Sequence, residues 1–181
     1  MKPIKRVILI SAGDPASIST EITIKALESS KINQNVKPII VSDPKLIEDC
    51  KKNINSKIKI NKIEDKEKFS DFKKNYLNII SIKLSEKIIF GKPHHKYASF
   101  IKKSIITCIE TERRSIASAI VTNPINKNIM YQSGFNFQGH TDFLASLSKY
   151  KKKPVMMLVI NDLKTIPLTI HIPIKDVPKF I

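Results

Sequence analysis

Arg6 to Ser11 is an unbroken run of valine, isoleucine and leucine between an arginine and a serine, and Ala12-Gly13-Asp14-Pro15 follows at once. A strand without polar alternation must be covered on both faces, which is the condition of a parallel sheet flanked by helices. The next residues agree. Ser19-Thr20-Glu21 begins a helix whose apolar residues Ile22, Ile24, Ala26 and Leu27 are expected to line one side. Strand, glycine turn and helix form the opening unit of an α/β fold. The turn contains one glycine, Gly13, so it is neither a dinucleotide fingerprint nor a Walker loop.

The rest of the chain repeats this grammar. Lys37 to Ser42 reads as a second strand, and Asp43-Pro44 caps a helix running to about Lys52. At that strand end Asp43 reads as an N-cap or as a ligand contact. Lys57 to Ile63 alternates lysine with isoleucine, as a half-buried strand does. Glu64 to Lys74 reads as a charged, solvated connection, and Leu77 to Ile82 as a further strand. Gly91-Lys92-Pro93-His94-His95 opens a helix from Tyr97 to about Thr111, with Ala98, Ile101, Ile105, Cys108 and Ile109 at helical spacing. Adjacent histidines do not share a helix face and no third ligand lies nearby, so His94-His95 reads as a polar helix start rather than a metal site. Val155 to Ile160 and Thr165 to Ile172, joined by Asn161-Asp162, read as an antiparallel hairpin that Pro173 ends. Lys175 to Ile181 reads as the first turns of a helix, from which an N-terminal fragment of a longer fold is expected.

Ser118 to Leu144 holds the densest run of residues that a plain fold does not need. An apolar strand, Ala119 to Val121, enters Thr122-Asn123-Pro124, and Ile125 to Tyr131 reads as a short helix carrying Lys127. A turn at Gly134 leads to Gly139-His140-Thr141-Asp142, with Thr141 expected to cap a helix from Asp142 to Leu147. Loops at the C-terminal ends of strands are where open α/β sheets place ligands, and helix N-termini favour anions. His140 and Thr141 therefore read either as anion contacts or as a structural histidine and a simple cap. Lys127 is open between steering a phosphate and being a surface lysine. Asp14 is open between orienting the first loop and serving as a turn residue. His171, in an apolar strand, reads on its own as a satisfied core residue.

Charge narrows the partner classes. The 181 residues include 32 basic and 16 acidic ones, a formal net charge of +16. Nearly all the basic residues are lysine, with Arg6, Arg113 and Arg114 the arginines, and the lysines are scattered. No basic helix interleaved with aromatics occurs, so no nucleic-acid partner is expected, only a weak pull on phosphorylated small molecules. Cys50 and Cys108 have no CxxC partner and read as reduced, buried or half-buried thiols. The apolar run Val7 to Ile10 is too short for a signal sequence, and no stretch approaches a membrane span. A cytoplasmic protein with no membrane partner is expected.

Three stretches carry a family resemblance. Thr122-Asn123-Pro124-Ile125-Asn126-Lys127 with Gly139-His140-Thr141-Asp142, Ser11-Ala12-Gly13-Asp14-Pro15-Ala16, and Thr169-Ile170-His171-Ile172-Pro173-Ile174 resemble signatures of the 4-hydroxythreonine-4-phosphate dehydrogenase family, in its order and at about its spacing. The chain resembles only about the first half of a family member. The resemblance implies an α/β fold with a mostly parallel sheet and flanking helices, isocitrate/isopropylmalate dehydrogenase-like and truncated, with an antiparallel hairpin near the C-terminus. Residues 1–130 would form the main α/β part and 131–181 the start of the second, dimerisation-side part.

The resemblance further implies NAD-dependent oxidation and decarboxylation of 4-hydroxythreonine-4-phosphate on the way to pyridoxine and pyridoxal phosphate, in a homodimer. It implies that His140 and Thr141 contact the substrate and that His171 is one of three histidines on a divalent metal (Zn, Mg, Mn or Co), the other two lying outside this chain. A related branch acting on threonate or erythronate 4-phosphate shares these motifs. Family members carry glycines where this chain has Ser17 and Ser19, and a turn needing positive φ there would fit serine poorly. The alternative reading is a non-catalytic remnant or one half of a split protein. On either reading the isolated chain is expected to be inactive.

Overall fold

The computed structural model describes residues 6–29, 35–148, 154–170 and 172–181. They form two compact units, Met1–Asn136 and Phe137–Ile181.

The first unit is built on five parallel strands: β1 (Arg6–Ser11), β2 (Val36–Ser42), β3 (Lys59–Lys62), β4 (Tyr76–Ser81) and β5 (Ala117–Val121). Their order in the sheet is β3-β4-β2-β1-β5. Helices α1 (Ser19–Glu28) and α2 (Pro44–Asn53) pack on each other, and α3 (Ala98–Arg114) packs against β1, β2 and β5. Alternate strand residues feed two cores. Val7, Leu9, Ile39, Val41 and Ile80 pack with Phe100 and Cys108 of α3. Ile40, Leu77 and Ile79 pack with Ile24 of α1 and with Ile47 and Cys50 of α2. The unbroken apolar run of β2 follows from this arrangement, since Ile39 and Val41 feed one core and Ile40 the other; in β1, Val7 and Leu9 feed the first core and Ile10 is buried as well.

The ends of these elements have local causes. Asp43 caps α2, its Oδ1 accepting from the amides of Lys45 at 2.7 Å and Leu46 at 3.4 Å, with Pro44 at the first helical position. A 3₁₀ turn, His95–Tyr97, leads into α3, and the imidazole of His94 caps it by accepting from the Lys96 amide.

Several expectations need correction. The buried face of α1 is Ser19, Thr20, Thr23 and Ile24, while Ile22 is 39% exposed and Ala26 is exposed; three hydroxyls take the place of the expected apolar stripe. The connection 64–74 is not simply solvated, because Phe69 within it is fully buried in the α3-side core. Asp65 holds that turn with Oδ1 accepting from the amides of Glu67 and Lys68 and Oδ2 from the Ser70 hydroxyl at 2.6 Å. Hydrogen bonding, from Ser70 above all, pulls the Asp65 carboxyl down to about 2. Helix α5 (His140–Leu147) starts two residues before the expected Asp142, and Gly139 rather than Thr141 is its N-cap.

The second unit contains α5 and an antiparallel hairpin of β6 (Leu158–Ile160) and β7 (Leu163–Thr165). Its two-residue turn is Asn161-Asp162, with Asn161 at φ 49°, a left-handed conformation that asparagine tolerates. β6 is shorter than the expected Val155 to Ile160, and β7 precedes the expected Thr165 to Ile172, sharing only Thr165 with it. Pro167 lacks an amide donor and restricts Ile166, and β7 stops at Thr165. Ile174–Lys179 forms a 3₁₀ turn where a helix start was expected.

Candidate functional site

Strand order reverses at β1: α1 leads from it to β2 on one side, and β5 joins on the other. Open α/β sheets place their crevice at such a switch point, outside the carboxyl ends of the strands. The loops there are 12–18, after β1, and 122–126, after β5.

These loops are stitched together. Pro124 has a carbonyl that accepts from the Asp14 amide at 3.0 Å and from the Ser19 hydroxyl at 2.9 Å. Asn123 is buried; its side-chain amide donates to the Ser11 carbonyl at 2.9 Å and to Thr23 Oγ1 at 2.7 Å. Thr23 in turn donates to the Ser19 carbonyl. The Gly91 amide donates to the Ala16 carbonyl at 2.8 Å, adding a third loop. Beneath them Ser104 of α3 accepts from the Ala12 amide at 2.8 Å and donates to the Val41 carbonyl at 2.7 Å. One buried hydroxyl thus ties α3 to the ends of β1 and β2.

Gly13 makes this closeness possible. Its φ is +70°, and a Cβ there would lie 2.6 Å from Ser19 Oγ and 2.7 Å from both Asn123 Cβ and the Pro124 carbonyl oxygen. Ser17 and Ser19 do not adopt positive φ. Ser17 Oγ donates to the Asp14 carbonyl at 2.8 Å and accepts from the Ser19 amide at 3.1 Å. The serines are built into the turn rather than strained by it.

Asp14 is 1% exposed. Its Oδ1 accepts from the Ala16 amide at 3.0 Å. Burial pushes its carboxyl above the ordinary value, and the Ala16 hydrogen bond partly opposes that rise. Asp14 lines a cleft of about 320 Å³ with Ser17, Gly91, Pro124, Ile125 and Asn126.

Lys127 is exposed in the first turn of α4 (Lys127–Gln132), which Asn126 caps by accepting from the amides of Asn128 and Ile129. In the second unit, half-buried His140 and exposed Thr141 form the first turn of α5, with Asp142 beside them and Phe143 packed on Phe137. Gly139 has no side chain to cap that turn. His171 lies outside the described residues, so its metal reading has no geometry here. Among the described residues no three His, Cys, Asp or Glu side chains come together as a metal site. Nor does any described loop carry the glycine pattern of a dinucleotide site. Cys50 and Cys108 are buried free thiols, with Cys108 pushed by burial up to about 12. No helix of the described residues is long and apolar enough to cross a membrane.

Sequence reasoning missed the roles of Ser104, Thr23 and Asn123. Their hydrogen bonds join residues 63 to 112 positions apart, and no local pattern signals them.

Comparison with known proteins adds a separate line. The family model for the pyridoxal phosphate biosynthetic protein PdxA matches residues 34–181. A 4-hydroxythreonine-4-phosphate dehydrogenase of Wigglesworthia glossinidia brevipalpis is 34% identical over 185 residues, 100% of this chain and 53% of its own length. A Clostridium botulinum protein provisionally named D-threonate 4-phosphate dehydrogenase is 31% identical over 179 residues, 94% of this chain and 51% of its own length. The crystal structure of a 4-hydroxythreonine-4-phosphate dehydrogenase from Burkholderia phymatum is similar with a TM-score of 0.85 at 26% identity, over 96% of this chain and 52% of that one. The chain spans about half the length of the curated relatives it matches.

Proposed function

The chain belongs to the PdxA family of pyridoxal phosphate biosynthetic proteins, and from that membership we propose that it supplies the phosphate-binding part of a 4-hydroxythreonine-4-phosphate dehydrogenase. The supporting observation is the first turn of α5, where Gly139, His140 and Thr141 stand together at a helix N-terminus. Helix N-termini present amides and a partial positive charge to an anion. The imidazole and the hydroxyl add donors, and the net charge of +16 on the chain as a whole favours phosphorylated ligands. Asp142 in the same turn opposes an anion, so the two side chains beside it carry the discrimination. NAD, when bound, would accept the hydride; that part of the reading, with the decarboxylation, rests on family resemblance alone. His171 as a metal ligand rests on the same resemblance. So does the homodimer, which the exposed apolar residues of β6 and β7 support.

A second substrate is favoured by one observation, the name of the Clostridium botulinum relative. D-threonate 4-phosphate presents the same phosphate and differs at the other end. This chain alone is expected not to turn over, since it spans about half the length of its relatives.

Calorimetric titration with 4-hydroxythreonine-4-phosphate tests the reading. His140→Ala and Thr141→Ala are each expected to weaken binding about tenfold, or about 1.4 kcal/mol. Equal affinity in wild type and both variants would contradict it.

A further inference from the structure

We propose that the cleft beside Asp14 is a binding site for a primary ammonium group of a small molecule. All its lining residues belong to the first unit, and the inference stands whether or not α5 binds phosphate.

On a chain with 32 basic residues, no lysine, arginine or histidine lines this cleft, and Asp14 is the one ionisable group lining it among the described residues. The site therefore selects against phosphate and for a cation. Its volume of about 320 Å³ lies at the small end of the range of about 300–1,000 Å³ for small-molecule sites.

The carboxylate itself is incomplete. Asp14 is 1% exposed, and its hydrogen bonding among the described residues uses Oδ1 alone, from the Ala16 amide. Oδ2 has no partner among them. A nearly buried carboxylate with one bare oxygen bears a desolvation cost that a paired cation removes. The upward push on its titration is that cost seen from the protein side.

The rest of the wall fits an amine on a short carbon frame. Ala16, Pro93, Pro124 and Ile125 give apolar contact, and Ser17 and Asn126 offer polar rims. The wall is also rigid, since Gly13, Ser19 and Asn123 lock the loop that carries Asp14. A rigid acceptor loses little ordering entropy on binding.

Carbon-13 NMR of the Asp14 carboxyl in this chain tests the proposal, with ethanolamine as probe and ethylene glycol as its uncharged match. At roughly 10 mM probe, suited to millimolar affinity, ethanolamine is expected to lower the apparent Asp14 pKa by about one unit, as an adjacent cation does. Ethylene glycol is expected to leave it unmoved. Asp14→Asn keeps the acceptor for the Ala16 amide and is expected to abolish the ethanolamine-induced shifts at the Ala16 and Ser17 amides. An Asp14 titration unmoved by ethanolamine, or moved equally by ethylene glycol, would overturn the inference. So would shifts at Ala16 and Ser17 that persist in Asp14→Asn.

Discussion

A methyl group at position 13 has nowhere to go. It would meet Ser19 Oγ, Asn123 Cβ and the Pro124 carbonyl oxygen at 2.6–2.7 Å, on a backbone already at φ +70°. Two of those neighbours are fixed by the chain itself, so the loop must shift and its hydrogen bonds with it. Gly13→Ala is expected to cost about 1–3 kcal/mol of stability, read as a lower denaturant midpoint; an unchanged midpoint would mean the loops are not locked as described. Asp65 gives a pH-dependent case. Its folded pKa, about 2, lies below the ordinary 3.8. The native state therefore binds fewer protons than the unfolded one in that window. Its contribution is present above the unfolded value and is lost as pH falls through about 2. Asp65→Asn is expected to flatten the acid limb of the stability profile by up to about one proton, measured by urea melts from neutral pH downward. An acid limb of unchanged slope would place the Asp65 hydrogen bonds outside the folded state's energetics.

Among the elements, α3 bears most directly on the site, because Ser104 reaches from it to both β1 and β2. Ser104→Ala would leave the buried Ala12 amide without its acceptor, and about 1–3 kcal/mol of destabilisation is expected; Ser104→Thr, which keeps the hydroxyl, serves as the control for it. A thermal melt unchanged by the alanine variant would count against the tie. The strands β1, β2 and β4 and the capped α2 were readable from sequence, since unbroken apolar runs and Asp-Pro caps are local signals. Phe69 was not, because its burial depends on a core assembled from distant strands. Thr23 was not readable either, as a helical hydroxyl only becomes a site residue when Asn123, 100 positions away, arrives beside it. The hairpin was legible in kind but not in length or in the place of its second strand, which runs from Leu163 to Thr165 and stops short of Pro167. His140 and Thr141 stood out as a pattern, yet the start of their helix was misplaced because Gly139, with no side chain, caps it. The two edges of the sheet also differ. Lys59 and Lys62 point to solvent on β3, a common guard against edge pairing, while β5 presents exposed Ser118, Ala119 and Val121.

On the scale of the whole molecule, the first unit buries a two-sided core, while the hairpin of the second leaves its apolar residues uncovered. Leu158, Val159, Ile160 and Leu163 of the hairpin are each more than half exposed. A patch of this kind marks an interaction surface, in keeping with a chain about half the length of its relatives. On the proposed function, this chain contributes binding sites and turnover needs a larger assembly. The most direct test is NADH formation from 4-hydroxythreonine-4-phosphate, NAD and a divalent metal, measured on this chain alone and then with the C-terminal half of a relative added. No turnover by the chain alone and NADH formation after the addition are predicted. NADH formation by the chain alone, or none in either mixture while a full-length relative is active, would contradict the account.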